Sequence, residues 1–312
     1  MSFPLTRRSF AAAVLAMSLW DGPALAQTRN AMQYPIRWPD RAPGDGFFIR
    51  HGFTTENTWY APGWWHTGED WYALDDAETG GAEVRAIADG QVVYANFDYP
   101  GRVVIIQHEE ELFSCYGHLD FELDVVEGDT VASGDRLGTV LVQTDGRAPS
   151  HLHFEIRDFL TSIEVNGDAP RYGVNCGFQC PPGPGYWPID APGHPVEMGW
   201  LNPTSVIASR SSDVGEVVVA EGTPSAVDVR DAPDGNLVGE IELTAGQIFN
   251  RRMIESGDPK SHDSRAEAYR LWYEIELPDS EYGWISALVA SDRDTGSDGR
   301  PSSIQFVLLP QD

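Results

Sequence analysis

Five residues carry the chemistry this sequence can offer: His66 and Asp70 in HTGED, His118 in CYGHLD, and His151 and His153 in SHLHFEI. In SHLHFEI the apolar Leu152, Phe154 and Ile156 alternate with His151, His153 and Glu155, the period-2 pattern of a strand with one apolar and one polar face. Same-face neighbours on a strand lie roughly 6–7 Å apart, so both imidazoles can reach one bound ion. A catalytic zinc needs three N or O ligands and an open fourth position for water. His66, Asp70 and one histidine of the HLH strand would supply the three, and spacing alone does not say which. Two imidazoles are then left over. Zinc lowers the pKa of its water towards ~7, a neutral imidazole beside it can take the proton, and an imidazolium can steady an oxyanion on an attacked carbonyl.

The elements that must position these groups are short strands. From Ala82 to Val142 alternating runs such as VRAIADGQVVYA and RVVIIQHEEELFSCYGHL follow one another with turn residues between, an all-β meander. Gly63, Pro62 and Gly68 argue that HTGED sits in a turn leaving a strand rather than on a helix. Glu109, Glu110 and Glu111 read as a hairpin tip. His108 ends an apolar strand and reads as a hydrogen-bonded structural residue. Glu155 shares the metal-facing side of its strand, where it can orient a ligand. His51, His194 and His262 read as loop residues without a role, and Cys115, out of phase with His118, as a small core residue.

Composition excludes several partners. With 312 residues the chain can bury a large core, and its net charge of −27 repels nucleic acid and anionic lipid surfaces alike. Arg7 and Arg8 precede an apolar run, Phe10 to Trp20, that ends in Ala24-Leu25-Ala26, the pattern of an export signal cleaved after about Ala26. The Arg-Arg-Ser-Phe order is that of a twin-arginine signal. No other stretch approaches the ~20 apolar residues of a membrane span, so a periplasmic or secreted mature chain is expected. In that compartment Cys176 and Cys180, in the loop GVNCGFQCPPGPG, are expected to close a short disulfide.

HxGxD, then GHL, then HLHFE, in that order within a meander, resembles the LytM and lysostaphin type of zinc metallopeptidase, which cuts peptide bonds in bacterial peptidoglycan. The resemblance covers about 47–207 and rests on HTGED, VVIIQH, CYGHLD, VEGDTVASGDRLGTV and HLHFEI. It implies an all-β fold, an antiparallel β-sheet and barrel-sandwich hybrid. It also implies one zinc ion per chain held by His66, Asp70 and His153, with His118 and His151 as the uncoordinated catalytic pair. Family members that activate amidases have lost ligands; this chain keeps every one, which makes an active peptidoglycan endopeptidase the first reading and a non-catalytic wall-binding or amidase-regulating protein the alternative. VEGDTVASGDRLG also resembles the hairpin of biotinyl and lipoyl carriers, but those need a lysine at the tip, and the single lysine here is Lys260.

The expected organisation is a signal at 1–26, a lead-in at 27–45 and a metallopeptidase domain at 46–208 with a Cys-bearing insertion at 158–199. A linker at 209–215 leads to a unit at 216–290 and an acidic, loose tail at 291–312, within which Ile304 to Leu309 could pair as an edge strand. The unit resembles a bacterial SH3-type barrel through VDVRDAPDGNLVGEI, GQIFNRRM and YGWISALVA, with Trp272, Tyr273 and Trp284 as its core. Such modules commonly bind wall peptides.

Overall fold

The computed structural model describes residues 31–311 except 57, 59–61, 75–77, 98–100, 110, 145, 147, 167–181, 184, 279, 297 and 298. The signal segment, Cys176 and Cys180 lie outside the described residues. The fold is almost wholly antiparallel β, as the meander predicts. Its first half comprises β1 (Ile36–Arg37), β2 (Phe47–His51), β3 (Trp64–His66), β4 (Glu69–Ala73), β5 (Glu83–Arg85), β6 (Gly90–Phe97), β7 (Arg102–Glu109), β8 (Leu112–Leu119), β9 (Thr130–Val131), β10 (Arg136–Thr139), β11 (Leu152–Arg157), β12 (Tyr186–Pro188) and β13 (Trp200–Leu201). A short helix α1 (Pro203–Arg210) follows. Then come β14 (Gly215–Val219), β15 (Ala226–Arg230), β16 (Leu237–Glu242), β17 (Ile248–Ser256), β18 (Leu271–Glu276), β19 (Tyr282–Ser286), β20 (Leu288–Thr295), β21 (Pro301–Phe306) and β22 (Leu308–Pro310). Among the described residues no helix is long and apolar enough to cross a membrane.

Two sheets dominate. A ten-stranded sheet runs in the order β20-β21-β2-β4-β11-β8-β7-β6-β9, with β13 added to β11. A seven-stranded sheet runs β16-β15-β19-β18-β17-β14-β22. The β-branched run Val103-Val104-Ile105-Ile106 makes β7 a natural interior strand of the first. Leu152, Phe154 and Ile156 of β11 enter the main core with Trp71 and Tyr116, which turns the polar face of β11 the other way. Helix α1 starts cleanly because Pro203 needs no donor in the first turn and Asn202 Oδ1 accepts from Ser205 N at 3.0 Å.

The acidic tail expected at 291–312 is not a tail. β20 extends through Ser291 to Thr295, β21 lies between β20 and β2, and β22 pairs with β14. Apolar burial outweighs local charge here: Ile304, Phe306, Leu308 and Leu309 are fully buried, while Asp294 is neutralised by Arg50 at 2.7 Å. The linker expected at 209–215 is likewise anchored, since buried Arg251 donates to the Ser212 carbonyl at 2.7 Å and the Asp213 carbonyl at 3.2 Å. The lead-in segment also packs, with Tyr34 and Ile36 in the core and β1 paired to β5. Trp272, Tyr273 and Trp284 are buried, as expected for core residues.

Candidate metal centre

Three strands bring the chemistry together. β11 is bracketed by β4 and β8, in a register that sets His153 opposite Asp70 on one side and Gly117 on the other. β3 delivers His66 immediately before β4 begins, through Thr67 and Gly68. The glycine of HTGED answers a close approach of backbone: a Cβ at Gly68 would lie 2.3 Å from the Phe154 carbonyl oxygen. The motif is therefore a strand break pressed against β11, in agreement with the turn its glycines imply.

His66 Nε2, His153 Nδ1 and Asp70 Oδ1 form a nearly equilateral triangle with sides of 3.0, 3.1 and 3.2 Å. Zinc bonds of about 2.0–2.1 Å place tetrahedral ligand atoms roughly 3.3 Å apart, close to these spacings. Each imidazole uses its other nitrogen elsewhere: His66 Nδ1 faces the Gly52 carbonyl at 3.3 Å and His153 Nε2 faces Glu155 Oε1 at 3.0 Å. With those nitrogens donating, three lone pairs converge on one point, a demand for positive charge that a divalent cation meets. His66, Asp70 and His153 are all buried, so water screens little of it.

Burial alone would depress the His153 imidazole, but its hydrogen bonds to Asp70 and Glu155 outweigh that and push it up to about 10, the same pull on positive charge that a bound cation answers in exchange for the Nδ1 proton. Burial likewise opposes ionisation of Asp70, and the imidazoles of His66 and His151 overcome it to hold the carboxyl well below its ordinary range. Glu155 is the supporting residue. Its Oε1 also accepts from Thr67 Oγ1 at 2.6 Å, and its Oε2 from Trp200 Nε1 at 3.1 Å and Arg157 at 3.5 Å.

The two remaining histidines lie alongside. The His118 and His151 rings meet edge to face with centroids 4.6 Å apart, and His118 stands 6.1 Å from His153. His118 adopts a left-handed backbone, φ 62°, which for a residue with a Cβ costs on the order of 1–3 kcal/mol and turns its side chain out of the strand alternation. His151 Nδ1 donates to the Pro149 carbonyl at 2.9 Å, so Nε2 carries the lone pair and faces Asp70 Oδ1 at 3.8 Å. Burial lowers its pKa, which keeps that lone pair free of a proton at neutral pH.

Sequence reasoning did not single out Tyr72, Thr67, Trp200 or Glu69. Tyr72 stacks on His151 with centroids 4.9 Å apart and planes 12° apart, and its spacing of two from Asp70 on β4 was the available signal. Glu69 is fully buried and accepts from Thr204 N at 3.1 Å and Thr204 Oγ1 at 2.8 Å, at the start of α1. Burial pushes its carboxyl up to about 7 despite those bonds. His51 is a correction: it ends strand β2 opposite Asp70 rather than lying in a loop. His108 is satisfied by the Asp89 carbonyl and Ser114 Oγ at 2.9 and 2.7 Å, and Cys115 is buried among Val103, Ile105 and Phe113. The insertion meets the site through β12, whose Tyr186 pairs with His66 and whose ring centroid lies 5.4 Å from the imidazole.

All five site histidines and carboxylates fall inside the segment 66–167, which matches the profile of peptidase family M23. Over 85 residues the chain is 36% identical to the lipoprotein NlpD of Yersinia enterocolitica, covering 84% of that sequence and 27% of this one. The chain belongs to peptidase family M23. Another relative, the murein hydrolase activator NlpD of Escherichia coli strain K12, is 37% identical over 86 residues, 27% of this chain. The match spans 22% of that relative's length. Lysostaphin, the antimicrobial peptidase from Staphylococcus simulans, overlays 90% of this chain and 98% of its own at 13% identity with a TM-score of 0.34, a likeness that adds no weight to the M23 assignment.

Proposed function

We propose that the mature chain is an exported zinc-dependent endopeptidase that hydrolyses peptide bonds in bacterial peptidoglycan. In this reading His66, Asp70 and His153 hold one zinc ion, and His118 and His151 are catalytic. The observation that carries it is the convergence of three buried ligand atoms at 3.0–3.2 Å, with each imidazole oriented by a partner on its other nitrogen. Bound there, zinc would supply Lewis acidity towards a carbonyl oxygen and lower the pKa of a water.

The protein's own groups supply the rest. His151, neutral and with Nε2 free, accepts a proton at the edge of the triangle. His118, held at a strained backbone position against His151, steadies the oxyanion that forms as the peptide carbonyl is attacked. Glu155 keeps the His153 Nε2 proton in place, so Nδ1 stays a ligand throughout. Tyr72 fixes the plane of the His151 ring. The C-terminal antiparallel sheet is assigned as the SH3-like unit of this reading.

The test is mass spectrometry of muropeptides released from purified peptidoglycan, with and without chelator. Chelator-sensitive release of new peptide ends supports the reading, and the products identify the bond. A second reading is kept because relatives bear the name murein hydrolase activator. It predicts no release by the zinc-loaded chain alone and faster release when an amidase is added.

A further inference from the structure

Tyr269 belongs to the C-terminal half of the chain, between the 3-10 turn Ala266–Ala268 and β18, more than two hundred residues from His66. Its ring is buried, and its hydroxyl accepts a hydrogen bond from Phe53 N. That N–H shares one peptide unit with the Gly52 carbonyl, which faces His66 Nδ1 at 3.3 Å. A trans peptide points its N–H and C=O in opposite directions, so Tyr269 grips one end of the plane while His66 is oriented by the other. Thr55 closes the turn around the same carbonyl, with Oγ1 at 2.7 Å and N at 3.3 Å.

Gly52 is required by this contact. A Cβ there would lie 2.9 Å from the Tyr269 hydroxyl and 3.1 Å from two of its ring atoms. The same hydroxyl lies beside the Glu69 carboxylate and Asn202, and Glu69 is bonded to Thr204 of α1 and directly precedes Asp70. His66 is thus backed through Gly52 by a group beyond residue 200, where the M23 profile has already ended, and the residue that precedes Asp70 is tied to α1.

We propose that Tyr269 is a positioning residue of the metal centre: through the Gly52–Phe53 peptide it sets the orientation and donor strength of His66, which makes the C-terminal unit a built-in part of the site rather than a tethered appendage. This rests on the metal-centre reading above. Hydrogen bonds in a chain polarise one another, so a fixed acceptor on the Phe53 N–H strengthens the Gly52 carbonyl as an acceptor for the His66 proton, and that raises the basicity of Nε2.

The experiment uses the full mature chain and the metal alone. Zinc dissociation constants are measured by competition with a chromogenic chelator for wild type, Tyr269→Phe, Gly52→Ala and Ile275→Val, alongside the thermal midpoint of each zinc-free protein. Ile275 is a buried residue of β18 in the seven-stranded sheet, paired with Arg251 and Gly283, and serves as the purely structural control. Removing a direct orienting partner typically weakens metal binding ten- to a hundredfold. Tyr269 acts one bond further out, so Tyr269→Phe and Gly52→Ala should each weaken zinc about three- to tenfold while Ile275→Val leaves it unchanged. Wild-type affinity in Tyr269→Phe, or an equal loss in Ile275→Val at a matched thermal midpoint, overturns the inference. Gly52→Ala attacks the same contact from the opposite side and decides the matter should Tyr269→Phe fold poorly. A wild-type chain that takes up no zinc overturns the metal-centre reading and this inference with it, whereas zinc-binding wild type with an indistinguishable Tyr269→Phe overturns this inference alone.

Discussion

Strands β11 and β16 are both six residues long and both mix apolar with charged residues, yet their fates are opposite. Every residue of β11, from Leu152 to Arg157, is buried; in β16 only Ile241 escapes full exposure, and Leu237 and Val238 are 59% and 61% exposed. The difference lies in position. β11 is an interior strand whose polar face is covered by Thr67, Trp200 and the Pro182 carbonyl, whereas β16 is the edge of its sheet. A buried polar face costs several kcal/mol unless each group is paired, and on β11 His153, Glu155 and Arg157 pair with one another and with what covers them. On β16 Glu240 and Glu242 remain in water, where charge guards an open edge at no such cost. The region that bears the chemistry is the one where the alternation was not allowed to end in solvent.

The sharpest way to break this contrast is at the metal triangle. His153→Ala should reduce bound zinc, measured by elemental analysis, from one per chain to none and abolish muropeptide release, while His118→Ala should abolish release and keep the zinc. Retained turnover in His153→Ala would overthrow the ligand assignment. Next in size is Glu155→Gln, which places an amide nitrogen against the donors Trp200 Nε1 and Arg157. It should weaken zinc by about tenfold or more and cost about 1–3 kcal/mol in a urea titration. Zinc affinity equal to wild type would mean that the buried polar face is structural only.

Hydrophobic truncation sharpens the comparison without touching the polar groups. Ile156→Ala on β11 should cost about 2–5 kcal/mol, the range for a fully buried aliphatic side chain. Leu237→Ala on β16 should stay within about 0.5 kcal/mol, as exposed substitutions do. Similar losses at the two sites would show that β16 is covered in solution. The smallest effect is expected at His108, half-buried on β7. Burial lowers its pKa below the ordinary 6.5, so just below that value the unfolded chain binds more protons than the folded one. Its contribution is therefore present above pH 6.5 and declines as pH falls through 6.5 towards the folded value. Urea midpoints of His108→Gln should lose part of the wild-type decline between pH 6.5 and 5.

The all-β class, the meander and the two-faced character of SHLHFEI were legible because period-2 alternation is written in consecutive residues. So were HTGED and GHL as members of one constellation, and Cys115 as core. The acidic stretch after Ser291 misled because its charges are adjacent in sequence, whereas Ile304 pairs with Ile49 and Phe306 stacks on Trp71, both more than two hundred residues away. His51 was passed over for the same reason: nothing local says that β2 will set it opposite Asp70.

Residue types and alternation by themselves determined that His151, His153 and Glu155 share a face and that His66 and Asp70 lie close together. Only the tertiary structure decided which nitrogen of each imidazole is free, because that depends on acceptors supplied from elsewhere: the Gly52 carbonyl for His66, Glu155 for His153 and the Pro149 carbonyl for His151. It alone brought Tyr269 and Thr204 behind the triangle. Alternation is a property of one strand, whereas the direction of a lone pair is a property of everything packed around it.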